Sequence, residues 1–292
     1  MVKSGSGHPL ECGARARRGA AKNRPRVTAA SIPRNEGRAL FGLDPAGYDR
    51  ARPPYPEAVY DLLVDVCGLT ANTPTLEIGA GSGVATRRLV ALGARPLVAI
   101  EPDPRLAAYL RSQQLPITVL ETPFETAELE AGGWSLAASA TAFHWIDQDV
   151  GLERVARALA RGGWWAAWWN EFGDAAREDA FHEATKTLLA LLPMGPGSGA
   201  GAVPYSADRA ARLDDIARTG AFAPAADHQF HWTLTLDAAH TRALYATYSS
   251  IAKLEPAERT RVLDELERIA RDEFAGVVER NMVTAVYLAR RI

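Results

Sequence analysis

Cysteine is nearly absent: among 292 residues there are only Cys12 and Cys67. Two such distant thiols form neither a metal-ligand spacing nor a disulfide framework, so a reducing cytoplasm is the expected compartment. Histidine is sparse as well, six in all. His228 and His231 lack a third ligand at suitable spacing, so no metal is expected. No uninterrupted apolar run approaches the roughly 20 residues that span a bilayer, and no membrane partner is expected. Charge of one sign is also missing. A formal net charge of -2 gives no global reason to expect nucleic acid. No repeat of fixed period is visible. What is present is 47% apolar and 23% charged residues, enough to bury a core in one elaborated domain or two small ones.

The first 38 or so residues stand apart. Arg15, Arg17, Arg18, Lys22, Arg24, Arg26, Arg34 and Arg38 face only Glu11 and Glu36, without apolar periodicity. This composition predicts a disordered basic leader. A transit peptide, a nucleic-acid arm or residues from an upstream start codon are sharper readings of the same composition. Residues 39–292 are expected to form the folded domain, with a ligand-binding core over 39–170 and a lid with later strands over 171–280.

Short apolar runs alternate with helical patterns. Strands are predicted at Thr75–Ile78, Leu97–Glu101, Ile117–Leu120, Leu136–Ala142 and Trp164–Trp169. Helices are predicted at Pro56–Cys67, Val84–Leu92, Pro104–Gln113 and Gln148–Arg161. That alternation predicts an α/β fold: a doubly wound, mostly parallel sheet with helices on both faces. After Asn170 the rhythm changes. Helices are expected at Asp174–Leu192, Ala207–Thr219, Ala238–Ala252 and Pro256–Phe274, strands at His228–Leu236 and Met282–Leu288, and a Gly/Pro-rich loop at Pro193–Pro204.

Gly79-Ala80-Gly81-Ser82-Gly83 follows the first strand and opens a helix. Glycine lets the backbone turn sharply and approach a ligand, and the helix start offers unpaired N–H groups. Alone, this loop fits NAD, FAD or S-adenosylmethionine. Glu101, with Pro102 after it, ends the next strand some 20 residues on, where a carboxylate can accept both ribose hydroxyls of an adenosine ligand. Asp103 precedes Pro104 and reads first as a helix cap.

Glu77-Ile78-Gly79-Ala80-Gly81-Ser82-Gly83 resembles motif I of class I S-adenosylmethionine-dependent methyltransferases. The resemblance implies a Rossmann-like seven-stranded fold, S-adenosylmethionine as cofactor, and Glu77 as the acid that supports the loop and orients the methionine end. Phe124-Glu125 resembles the segment flanking adenine. Phe143-His144-Trp145-Ile146-Asp147 resembles a segment of small-molecule methyltransferases of the trans-aconitate type, and Thr141 just before it is expected at the cofactor. Tyr48-Asp49-Arg50-Ala51-Arg52-Pro53-Pro54-Tyr55-Pro56 resembles that subgroup's entry segment, in which a tyrosine and an arginine, here Tyr48 and Arg52, close over the methionine end. The resemblance covers about Phe41–Asn170 and weakens beyond. It departs at Trp134-Ser135, where the family commonly has an aromatic–Asp pair.

Methyl transfer from a sulfonium is an in-line displacement, so alignment dominates, and a base helps only when the acceptor must lose a proton. His144 is the candidate base, set against a packing role beside Trp145. Asp147 reads as a helix cap. Asn170 reads as a turn residue that could also reach the acceptor. Trp164, Trp165, Trp168 and Trp169 read as sheet core. Tyr245, Tyr248, Ser249 and Ser250 are placed on a helix that could cover the site. The acceptor is expected to be a small molecule. No basic, aromatic-interleaved patch and no Asn-Pro-Pro-Tyr-type tetrad suggests a nucleic-acid partner. A nicotinamide-dependent oxidoreductase and a non-catalytic cofactor-binding regulator are the alternatives. Oligomeric state and the methylated atom stay open.

Overall fold

The structure, a computed structural model, describes residues 42–190, 192 and 203–292. The expected basic leader and most of the Gly/Pro-rich loop lie outside the described residues. A seven-stranded sheet forms the centre, in the order β3-β2-β1-β4-β5-β7-β6. The parallel strands are β1 (Thr73–Ile78), β2 (Ala94–Ile100), β3 (Thr118–Leu120), β4 (Trp134–Ala140) and β5 (Leu159–Phe172). Two antiparallel strands, β6 (Ala226–Asp237) and β7 (Val277–Arg290), complete it, with β7 pairing β5 and β6. The expected doubly wound, mostly parallel sheet is the one observed.

Alternation along the buried strands builds one core on each face. Leu76, Ile78, Trp165, Ala167 and Trp169 pack with Leu152 and Val155 of helix Gln148–Ala158. On the opposite face Leu97, Leu136, Trp168 and Val286 pack with Val59 and Leu63 of helix Glu57–Asp65 and Leu89 of helix Val84–Ala91. A third cluster holds the lid together: Phe181, Tyr245, Leu263, Leu266 and Val278 are buried among helices Ala180–Leu189, Ala238–Ala246 and Pro256–Glu273. Arg280 is buried beside it and donates to Asp179 at 2.7 Å and to the Tyr245 hydroxyl.

Two expected helices differ by more than a few end residues. The one expected at Asp174–Leu192 begins only at Ala180. Asp174 instead accepts from Ala176 N, Arg177 and His231, and Asp179 caps the helix by accepting from His182 N. Aspartate side chains that bond nearby backbone compete with the helix, which moves its start. The one expected at Ala238–Ala252 splits into Ala238–Ala246 and Ser249–Ala252, because Tyr248 is extended (ψ 131°). Helix Pro45–Ala51, carrying Tyr48, was not read from the sequence. It is capped by Asp44, whose carboxylate accepts from Gly47 N at 2.9 Å. Among the described residues, no helix is long and apolar enough to cross a membrane.

Candidate active site

The chain lays β1, β2 and β3 side by side, then returns to place β4 on the other side of β1. At such a reversal the two outgoing connections part and leave a crevice beyond the carboxyl ends of the strands. A cavity of about 420 Å³ occupies that place, bounded by the ends of β1, β2, β4 and β5 and by residues 248–250 of the lid. Its size suits a small ligand, for which pockets run roughly 300–1,000 Å³.

The loop after β1 forms its floor. Gly79, Ala80 and Gly81 line the cavity. Gly79 has φ +73°, and a Cβ there would stand 2.4 Å from the Ala142 Cβ in the loop after β4. Only glycine lets the two loops approach this closely. Gly81 has φ +58°, and a Cβ there would meet nothing within 4 Å, so its backbone faces open space. Glu101, 5% exposed, sits at the end of β2. Its two oxygens accept from Gly81 N at 2.8 Å and from Asp103 N at 2.9 Å. These two bonds hold the carboxylate at the cavity wall. Asp103 is the helix cap its position suggests, accepting from Arg105 N at 2.9 Å.

Pro102, Phe124 and Glu125 line the end beyond β2 and β3. Tyr48 and Arg52 line the other side. The Arg52 guanidinium lies 4.9 Å from the Tyr48 ring centroid and 5.4 Å from that of Tyr248. It also donates to Thr247 O at 3.3 Å, which ties the entry helix to the lid. Thr141, His144 and Trp145 line the wall after β4. Thr141 is a β-branched residue at φ +51°. That backbone costs of order 1–3 kcal/mol and is held by Tyr55, whose hydroxyl donates to the Thr141 Oγ1 at 2.9 Å.

Three expected site residues lie behind the wall. Glu77 is 1% exposed, and neither of its carboxylate oxygens has a hydrogen-bond partner among the described residues. Burial raises its pKa to about 8. Gly83 starts helix Val84–Ala91, and a Cβ there would stand 2.6 Å from Leu110 Cδ1, so it serves close packing. Phe143 is 1% exposed and stacks on Trp165 at 4.6 Å. Gly83 and Phe143 act on the cavity indirectly, through close packing behind its wall.

Tyr248, Ser249 and Ser250 line the cavity, whereas Tyr245 is buried in the third cluster. Asn170 lines the cavity, but its amide is engaged at both ends: Nδ2 donates to Pro54 O at 3.2 Å and Oδ1 accepts from Thr284 at 2.7 Å. His231 and Trp232 lie away from the cavity, bonded to Asp174 and Thr284. Sequence reasoning passed over Glu171, Phe172 and Tyr205, which also line it. For Glu171 and Phe172 the available signal was position, as the last residues of the tryptophan-rich strand β5. Burial raises the Glu171 pKa to about 7.

Residues 75–163 match the model of the family described as methyltransferase domain. A methyltransferase-like protein of Schizosaccharomyces pombe, itself uncharacterized, is 26% identical over 244 residues, which cover 79% of this chain and 86% of that protein. An uncharacterized methyltransferase of Mycobacterium tuberculosis is 36% identical over 131 residues, 44% of this chain and only 51% of its own length. Among solved structures, phosphoethanolamine N-methyltransferase 2 of Haemonchus contortus has the same fold at 12% identity, with a TM-score of 0.50 over 87% of this chain and 57% of that one. The fold is the Rossmann-like one of that methyltransferase, and the cavity lies where open α/β sheets bind their ligands. With the domain match and the relatives, the chain is an S-adenosylmethionine-dependent methyltransferase. The residues present fit that cofactor: an open glycine backbone at a helix start and a buried carboxylate at the end of β2 bound one cavity.

Proposed function

We propose that this methyltransferase binds S-adenosylmethionine across the ends of β1, β2 and β3 and methylates a small molecule held over β4 and β5. Glu101 carries this reading, because two backbone N–H groups aim its carboxylate into the same cavity that Gly79–Gly81 floors. In this reading Glu101 accepts the ribose hydroxyls, and Pro102, Phe124 and Glu125 flank the adenine. Gly79, Ala80, Gly81 and Thr141 pass close to the methionine end, with Tyr48 and Arg52 over it and His144 and Trp145 beside it. Gly83 packs beneath the loop, Glu77 is buried at its start, and Phe143 holds the turn after β4.

The cofactor supplies an electrophilic methyl on a positively charged leaving sulfur. The chain's own work is alignment: rigid strand ends hold the acceptor in line, and the lid residues 248–250 exclude water. A small acceptor suits the cavity volume and its closure by the lid. The Tyr48–Pro56 and Phe143–Asp147 segments favour a subgroup similar to the trans-aconitate methyltransferases.

Calorimetric titration with S-adenosylhomocysteine tests the reading. The wild type is expected to bind saturably, and Glu101→Ala about 10–100-fold more weakly, since a buried charge-assisted hydrogen bond is worth roughly 1.5–3 kcal/mol. No saturable binding by the wild type, or undiminished binding by Glu101→Ala, would overturn it.

A further inference from the structure

The order of the strands separates the two halves of the cavity. Glu101 ends β2, the glycine loop follows β1, and Phe124 lies beyond β3, so an adenosine bound there lies over β1–β3. The transferable methyl must then face β4 and β5. Glu171 is at the carboxyl end of β5 on that side. It stands two residues past Trp169 and therefore on the same face of the strand, toward His144. No hydrogen bond or ion pair from any described residue reaches its carboxylate, and burial is the single cause of its raised proton affinity.

We propose that Glu171 is the proton acceptor for the methyl acceptor, and that this acceptor is a flat, mainly apolar molecule whose nucleophile is a phenolic or enolic hydroxyl. The inference rests on the cofactor reading above. Trp145, Trp169, Phe172, Tyr205 and Tyr248 surround this half of the cavity and suit an aromatic or conjugated ring. The charged and titratable groups on the same walls are Arg52, His144, Tyr48, Tyr55, Tyr205 and Tyr248. Glu101, Asp103 and Glu125 line the adenosine half. Arg52, held between two tyrosine rings, disfavours an ammonium acceptor and tolerates a neutral hydroxyl.

In the step itself the hydroxyl oxygen forms the new O–C bond as the S–C bond breaks, and the bonding pair remains on sulfur. The hydroxyl proton passes to the Glu171 carboxylate. A positive sulfonium, a neutral hydroxyl and a carboxylate thus become a neutral thioether, a methyl ether and a carboxylic acid, which loses its proton to water. A carboxylate of raised pKa retains enough basicity for a phenol or enol.

4-Nitrophenol, whose absorbance reports its ionisation, is the probe, titrated into the wild type saturated with S-adenosylhomocysteine across a range of pH. The expected result is saturable binding to the wild type with the ionisation midpoint of the bound probe raised, because an adjacent carboxylate opposes the phenolate. Glu171→Gln should lower that midpoint by about one pH unit, and Glu171→Asp should restore part of the shift. S-adenosylhomocysteine affinity should stay within about 2-fold in both variants, which separates this inference from the cofactor reading. An unchanged midpoint in Glu171→Gln overturns the proton-acceptor role. Absence of probe binding to a wild type that does bind S-adenosylhomocysteine overturns the substrate class.

Discussion

The Trp169 indole N–H donates to His144 Nδ1 at 3.0 Å. An imidazole nitrogen that accepts cannot carry the proton, so neutral His144 is the Nε2–H tautomer. The ring therefore offers a donor, and the lone pair a general base would use is already engaged by Trp169. This geometry favours a positioning role for His144 over that of a base, and it suits the tilted packing of His144 on Trp145 at 4.9 Å. Nitrogen-15 NMR of the imidazole is expected to show a pyridine-type Nδ1 and a pyrrole-type Nε2 near neutral pH. Trp169→Phe should convert this to a tautomer mixture and destabilise the fold by about 1–3 kcal/mol, through one lost hydrogen bond and lost packing. A pyrrole-type Nδ1 in the wild type would refute the assignment.

Gly79 and Gly81 should respond differently to alanine. At Gly79 the new methyl collides with Ala142 at 2.4 Å, and φ is +73°. Gly79→Ala is expected to lose about 2–4 kcal/mol, seen as a clear fall in Tm. At Gly81 the methyl meets nothing, so the stability cost should stay near 1–2 kcal/mol from the left-handed backbone alone. The Gly81 methyl instead occupies the cavity floor, and S-adenosylhomocysteine affinity should fall by at least about 10-fold, a loss of roughly 1.4 kcal/mol. Equal Tm values for the two variants would count against the close approach of the loops after β1 and β4.

Glu77 sets a pH dependence of stability. Its pKa rises from 4.5 to about 8 in the folded protein, chiefly through desolvation, with Glu101 adding to it and Thr86 and Arg87 opposing. The folded state then binds more protons than the unfolded state between those values, so this group's stabilisation is complete below 4.5 and is lost as pH rises through about 8. Glu77→Gln removes the titration. Denaturant unfolding should show the variant gaining on the wild type, by about 1–3 kcal/mol, as pH rises across that window. A difference that does not change with pH would show that Glu77 keeps an ordinary pKa.

Much of the β1–β5 half was legible because it is written in local signals. Pro104 after a capping Asp103, Asp147 before Gln148, and the glycine loop between a strand and a helix are backbone requirements that span a few residues. The entry helix at Pro45–Ala51 was passed over, being a short helix with little apolar periodicity and only Ala51 buried. The lid was read less well, since the start of its first helix depends on Asp174 and Asp179 choosing partners, His231 and Arg280, that lie 57 and 101 positions away.

The amino-acid sequence by itself determined the strand–helix alternation and the glycine loop with Glu101 after it. Those features depend on local backbone geometry. Only the tertiary structure decided that Glu77, Gly83 and Phe143 stand behind the cavity wall, that Asn170 is engaged at both ends, and that Glu171 lines the cavity. Whether a carboxylate lines a cavity or supports it from behind is set by the pleat of its strand and by what packs across the sheet. The tautomer of His144 was settled in the same way, by an indole 25 residues further along the chain.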